Sequence, residues 1–197
     1  MTDFHHNIFY YYRGATQAQH KLYDQQLEDN TTKALVNTLQ HCDPAVALKF
    51  LGWLGITTTA TVTVALQKST IGKEKIRRAS QRLLLGLVAV PVPDGVPVVS
   101  ESEGQTNGDS RPDAWLYGED FVVLLESKVG NAPLKSEQMD CHLQKLQVDS
   151  RYHARCQVRT WADVHQFFVG CLTSSRSCQY GWAMYFSMSS SHDSSLR

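Results

Sequence analysis

The stretch that most limits how this chain can fold is SRPDAWLYGEDFVVLLESKVG, residues 110–130. Phe121 to Leu125 is an apolar run of the kind that fills a buried strand. It leads straight into Glu126-Ser127-Lys128, two opposite charges with one residue between them. A third charge, Asp113, stands thirteen residues before Glu126, directly after Pro112. Charges at the end of a strand that buries itself need partners, because an unpaired charge is costly to remove from water.

The segment reads as a β-hairpin turning near Gly118-Glu119. Strand side chains alternate between faces, so Glu126 and Lys128 share one. With an even-length turn, odd positions on the first strand pair with even positions on the second. Asp113 then lies near Leu124, on the face of Glu126 and Lys128. An odd-length turn without a bulge would separate them. Two carboxylates converging from adjacent strands repel unless a positive group sits between them. Lys128 could neutralise one. A divalent cation could accommodate both, and Mg²⁺ favours oxygen ligands. Such an ion polarises a phosphoryl oxygen and acidifies bound water. An adjacent lysine can orient that water or stabilise charge developing on the phosphate. This is the chemistry of phosphodiester hydrolysis. The simpler reading makes Glu126 and Lys128 the solvated end of a strand and Asp113 a turn residue.

Composition sets the outer limits. With 197 residues and 42% hydrophobic content the chain can bury one real core. Its formal net charge is zero, so contact with nucleic acid has to rest on local features. Five cysteines, none in a C-x-x-C pair, argue against a disulfide framework and for a reducing cytoplasm. The eight histidines and five cysteines show no zinc spacing. The start, MTDFHHNIFYYYRG, lacks the layout of a signal peptide. The apolar stretch from Val46 to Leu66 contains Lys49 and five threonines, a poor membrane span. The expectation is a cytoplasmic protein with no membrane contact.

Along the chain, FYYYRGATQAQHKLYDQQLEDNTTKALVNTLQHC reads as helix, with a turn capped within it by Asn30 or Thr31. DPAVALKFLGWLG is a second helix, ending at Gly55. TTTATVTVAL alternates as a strand would. KEKIRRASQRLLLGL reads as helix, with Ile76, Ala79, Leu83 and Leu87 on one face and a basic stripe of Lys75, Arg78 and Arg82 on another. VPVVSES suits an edge strand and EGQTNGDS a loop. LKSEQMDCHLQKL is a helix, and RYHARCQVRTW a strand leading into the helix ADVHQFF. The Ser-rich end, residues 187–197, is expected to be disordered. One domain over residues 1–180 is expected, with a helical part at 8–88 and the hairpin at 110–130.

Pro112-Asp113, a twelve-residue gap and Glu126-Ser127-Lys128 together resemble the PD-(D/E)xK nuclease superfamily, the restriction-endonuclease-like fold. The resemblance covers roughly residues 8 to 170. QLEDNTTKAL is similar to the N-terminal helix that brings a further acidic residue towards the metal in this fold, with Glu28 as the candidate. Gln138 and His142, four residues apart on one helix face, are similar to the Gln-x-x-x-Tyr of the exonuclease branch. FYYYRG leading into QLEDNTTKAL looks like the stand-alone nucleases of bacterial restriction and phage-defence loci. After Cys171 the sequence departs from the pattern.

The resemblance implies an α/β fold, a small mixed β-sheet flanked by α-helices. It implies that Asp113 and Glu126, with Glu28 nearby, bind Mg²⁺, which Mn²⁺ can replace. Lys128 would position the attacking water or stabilise the transition state, and Gln138 and His142 would help place the scissile phosphate. The substrate would be nucleic acid, DNA in the first place. Because one site per chain often cuts two strands as a pair of protomers, a homodimer is expected. The stripe of Lys75, Arg78 and Arg82 is a candidate phosphate contact or else a solvated face. Glu28 and Asp29 could equally be capping residues near a helix start, and Gln138 and His142 a solvated face. The alternative to a nuclease is a nucleic-acid-binding or assembly module that keeps the fold without cleavage. A third reading is a metal-free domain in which Lys128 pairs with Glu126 or Asp113.

Overall fold

Phe121–Ser127 (β4) is the central strand, and all seven of its residues are buried. The computed structural model describes residues 20–91, 111–130, 133–147 and 151–174, and β4 is the fourth of its five strands in chain order. The others are Thr63–Leu66 (β1), Gln81–Val88 (β2) and Ala114–Tyr117 (β3), with Arg155–Thr160 (β5) following later in the chain. The sheet runs β1-β3-β4-β2-β5. β1 with β3 and β3 with β4 are antiparallel, whereas β2 is parallel to both β4 and β5. The protein is therefore α/β, with a five-stranded mixed sheet. Its helices are His20–His41 (α1), Pro44–Trp53 (α2), Lys73–Arg78 (α3), Ser136–Leu146 (α4) and Trp161–Ser174 (α5). Two compact units divide the chain at Trp161, the first holding the sheet and the second most of α5.

The burial of β4 follows from its position. Val122 and Leu124 join Leu84, Trp115, Met139 and Leu146 in one apolar cluster. On the opposite face, at the end of the strand, Ser127 meets Thr32 of α1. A strand covered on both sides must be apolar throughout, which is why Phe121–Leu125 does not alternate. The β3–β4 hairpin turns through Gly118, whose amide donates to Phe121 O at 3.0 Å. A Cβ at Gly118 would stand 2.5 Å from the Phe121 ring, so the turn needs the missing side chain.

β2 corrects the sequence reading, which continued the α3 helix through QRLLLGL. The helix stops at Arg78. Ala79 is already extended (φ −66°, ψ 118°), and the amides of Ser80 and Gln81 both donate to Asp120 O. The apolar positions that match a helical face match a doubly covered parallel strand as well, since Leu83, Leu84 and Leu85 are all fully buried. The basic stripe dissolves with the helix. Arg82 lies on β2, 1% exposed, and its guanidinium donates to the carbonyls of Arg77, Ala79, Leu146 and Tyr152. No phosphate can reach it there.

Other boundaries shift for local reasons. The threonine stretch pairs only over Thr63–Leu66, because β3 offers four partners, Tyr117 back to Ala114. Before it, Thr57 exchanges both backbone bonds with the Gln81 side chain instead of a strand. α1 runs through Asn30 and Thr31 without a cap, and the Thr31 hydroxyl donates back to Leu27 O. Asp43 caps α2, its carboxylate accepting from Ala45 N ahead of Pro44 at the first turn. The helical reading of 8–19, the strand VPVVSES and the tail at 187–197 lie outside the described residues. Among the described residues no helix is long and apolar enough to cross a membrane.

Arg82 provides a test of this arrangement. Arg82→Leu keeps apolar bulk but leaves four carbonyls without their donor. We expect it to cost about 2–4 kcal/mol in urea unfolding, the range for buried polar groups left unsatisfied. A loss near zero would show that those carbonyls find water or other donors.

Candidate metal centre

The hairpin register places the charges. Ala114 pairs with Leu125 and Trp115 with Leu124. One step further along, Asp113 falls opposite Glu126, not beside Leu124 as the sequence reading had it. α1 supplies the third carboxylate. Glu28 and Thr32 are four residues apart on one helix face. The Thr32 hydroxyl lies 2.6 Å from that of Ser127, which docks this face on the end of β4. Glu28 is therefore a mid-helix residue aimed at the strand end, not a cap. One carboxylate oxygen each from Glu28, Asp113 and Glu126 lies within 4.8 Å of the others, a group that could hold a metal ion.

Lys128 stands between two of these carboxylates. Its Nζ donates to Glu28 Oε1 and to Glu126 Oε1, 2.8 Å each. Its own backbone is tethered at both ends: N donates to Leu87 O at 2.7 Å, and O accepts from Trp161 Nε1 at 3.1 Å. Burial alone would lower the lysine pKa, but the charges and hydrogen bonds of Glu126 and Glu28 outweigh it and hold the ammonium above its ordinary value.

Gln138 and His142 come from α4, on the other side. Gln138 Nε2 donates to Glu126 Oε1, and His142 Nε2 lies 2.9 Å from Glu126 Oε2. A carboxylate only accepts, so Nε2 carries the proton. His142 is fully buried, and its Nδ1 has no hydrogen-bond partner among the described residues. These two residues are brought to the site, but both reach it through Glu126. Lys75 and Arg78 are not part of it. Lys75 lies over the Tyr117 ring at 4.5 Å, and Arg78 pairs with Glu74 on the exposed side of α3.

Sequence reading missed Ser127, the middle residue of Glu126-Ser127-Lys128. Its amide and hydroxyl both donate to Asp113 Oδ2, at 2.7 and 3.0 Å. With that hydrogen committed to Asp113, Thr32 must donate to Ser127, giving a chain from α1 through β4 to Asp113. The spacing of Glu28 and Thr32 on a helix was the available signal. Gln67 was also missed. It ends β1 at φ 47°, its amide donates to Asp113 O at 2.9 Å, and its side chain donates to Asp29 Oδ1 at 2.9 Å. Asp29, Gln67 and Asp113 line a cavity of about 40 Å³ together with Asn30, Thr32, Lys33 and Leu66.

Two of the three carboxyls hold their protons more tightly than usual. Asp113 is pushed up to about 7, first by burial and then by the charge of Glu126, against the Ser127 amide and Lys128. Glu28 is raised by burial, against its bond and attraction to Lys128. The hydrogen bonds to these two carboxyls fall on Asp113 Oδ2 and Glu28 Oε1; among the described residues none falls on Asp113 Oδ1 or Glu28 Oε2. Comparison with family models, with curated proteins and with solved structures finds no match to this chain.

Folding raises the Asp113 pKa, so between 3.8 and about 7 the folded protein binds more protons than the unfolded chain. Its contribution to metal-free stability is then full below that window and lost as pH rises through it. A divalent ion binds the carboxylate and must displace the proton. We expect ion affinity to tighten between about pH 6 and about pH 8, with proton release at the lower pH, in calorimetric titrations across buffers of different ionisation enthalpy. Affinity independent of pH would exclude Asp113 as a titrating ligand.

Ser127→Ala keeps the strand amide but removes both hydroxyl bonds and leaves Thr32 without its acceptor. The expected loss is about 1–3 kcal/mol of folding stability, read by denaturant unfolding. An unchanged midpoint would mean the hydroxyl chain does not help dock α1.

Proposed function

We propose that the chain is a metal-dependent nuclease of the restriction-endonuclease-like class. It hydrolyses phosphodiester bonds of nucleic acid, DNA in the first place, with Mg²⁺ as its ion and Mn²⁺ able to replace it. The observation that carries this reading is the meeting of Glu28, Asp113 and Glu126 within 4.8 Å, with the Lys128 ammonium against two of them. An all-oxygen donor set of carboxylates suits Mg²⁺. The mixed sheet, with its acidic hairpin end and a helix contributing Glu28, supports the same class. A role in restriction or phage defence, a cytoplasmic location and action as a homodimer belong to this proposal and rest on the sequence resemblance.

Bound there, Mg²⁺ would supply Lewis-acid polarisation of the phosphate and an acidified water. Asp113 and Glu126 would hold the ion, and Glu28 would close the third side. Lys128 presents a rotatable point charge, able to turn from the carboxylates to the attacking water or to charge growing on the phosphate. Gln138 and His142 are positioning residues: they fix the Glu126 carboxylate from α4 and act on the phosphate through it.

A second reading has an observation of its own. Lys128 already neutralises Glu28 and Glu126, as it would in a metal-free structural domain where it serves as an ion-pair partner. Divalent ions would then leave the melting temperature unchanged.

We expect the purified protein to nick or degrade DNA with Mg²⁺ or Mn²⁺ and to stop with EDTA. Lys128→Ala is expected to abolish turnover while metal binding persists or tightens, because a competing cation has gone. Asp113→Ala and Glu126→Ala are expected to weaken metal binding itself. Calorimetric metal titration beside a cleavage assay on the same preparations reads both. Cleavage by Lys128→Ala at the wild-type rate would make Lys128 a structural ion-pair partner and overturn the mechanism.

A further inference from the structure

A nuclease site built from carboxylates repels the strand it has to cut, so attraction must come from cations placed beside it. In a chain with zero formal net charge those cations must be local. Of the sequence candidates Arg82 cannot serve because it is buried, and Arg78 and Lys75 are exposed but already engaged by Glu74 and the Tyr117 ring.

An open groove lined by Gln67, Lys68, Ser69, Thr70 and Arg111 lies next to the carboxylates. Gln67 is its shared wall, since the same residue lines the small cavity that contains Asp29 and Asp113. Lys68 and Arg111 are exposed, and neither side chain makes an ion pair or hydrogen bond among the described residues. Lys145 of α4 reaches the same loop, its Nζ 3.5 Å from Ser69 O.

The loop is held in place. Trp115, fully buried in β3, donates its indole N–H to Lys68 O at 2.7 Å. Gln67 N donates to Asp113 O, and the Thr70 hydroxyl accepts from Gly72 N at 3.0 Å. Arg111 stands two residues before Asp113 and is separated from it by the buried Pro112. The backbone that carries Lys68 is thereby tethered to β3 beside Asp113, and Arg111 lines the same groove two residues before that aspartate, which places both cations where phosphate contacts are needed.

We propose that the Gln67–Thr70 loop and Arg111 form the groove that seats the phosphodiester backbone of a nucleic-acid strand beside the acidic centre, with Lys68 and Arg111 as its phosphate contacts. This rests on the nuclease reading and assigns the substrate surface that α3 does not provide.

The experiment uses the full chain with fluorescein-labelled single-stranded DNA, duplex DNA and RNA of one sequence. Binding is read by anisotropy with Ca²⁺ over a salt series, and cleavage with Mg²⁺. Lys68→Glu and Arg111→Glu are expected each to weaken binding about tenfold, and each lost contact to lower the salt slope by about one. Cleavage is expected to lose in KM more than in kcat, while calorimetric metal binding and the melting temperature stay at wild-type values. Lys49→Glu on α2, which carries the same charge change, is expected to bind as wild type.

If the wild type binds and cleaves but the double variant Lys68→Glu/Arg111→Glu keeps its affinity and salt slope, the groove is not the interface and the nuclease reading stands. If Lys49→Glu weakens binding as much as the groove variants, overall charge and not the groove is responsible. A wild type that neither binds nor cleaves any of the three probes overturns both.

Discussion

Three carboxyl groups gathered at the end of a buried strand are the constraint around which the rest of the fold is arranged. Each loses water on folding, and each repels the others. Two adjustments keep the cluster tolerable. Glu28 and Asp113 hold protons more tightly than free carboxyls do. Lys128 places one ammonium against Glu28 and Glu126. The surrounding elements each supply donors: β4 through Ser127 to Asp113, and α4 through Gln138 and His142 to Glu126. Removing any one partner leaves charge uncompensated in a poorly hydrated place, which is far costlier than never having built the cluster.

Arg82 and Lys128 are both largely withdrawn from solvent, and their partners differ in kind. Arg82 spreads a rigid guanidinium over four backbone carbonyls, so its bonds tie β2 to the end of α3 and to the end of α4. That fork has nothing left to redirect. Lys128 meets two carboxylates with a compact charge on a flexible stem, and the same charge can turn towards a different anion. Planar geometry suits the first residue to holding the fold, and a rotatable donor suits the second to chemistry.

The hairpin was legible in the sequence because its signals are local. A glycine turn and an apolar run act within about twenty residues and locate the hairpin, whereas its register, with Asp113 opposite Glu126 and not beside Leu124, came only with the turn itself. Glu28 was legible only as a resemblance, since its neighbour in space is Lys128, a hundred residues away in sequence. β2 was misread for a physical reason. A strand covered on both faces loses its alternation, and leucines at 83, 84, 85 and 87 fit helix and buried strand alike. What decided between them was a pair of amides from Ser80 and Gln81 donating to Asp120 O, a contact forty residues distant. Ser127 escaped because its parity points away from Glu126 and Lys128. Its role depends on α1 lying under that face and on Asp113 folding back to its amide.

The sequence by itself determined which residues would form the hairpin and that opposite charges would stand at its open end, because strand alternation and turn chemistry operate over short spans. Only the tertiary structure decided that Arg82 is internal, that α3 carries no continuous basic stripe, and that Glu28, Asp113 and Glu126 share one small volume. Those outcomes depend on which strand lies beside which and on what covers each face. Desolvation and hydrogen-bond satisfaction are settled by the assembled neighbours of a side chain, not by its neighbours along the chain.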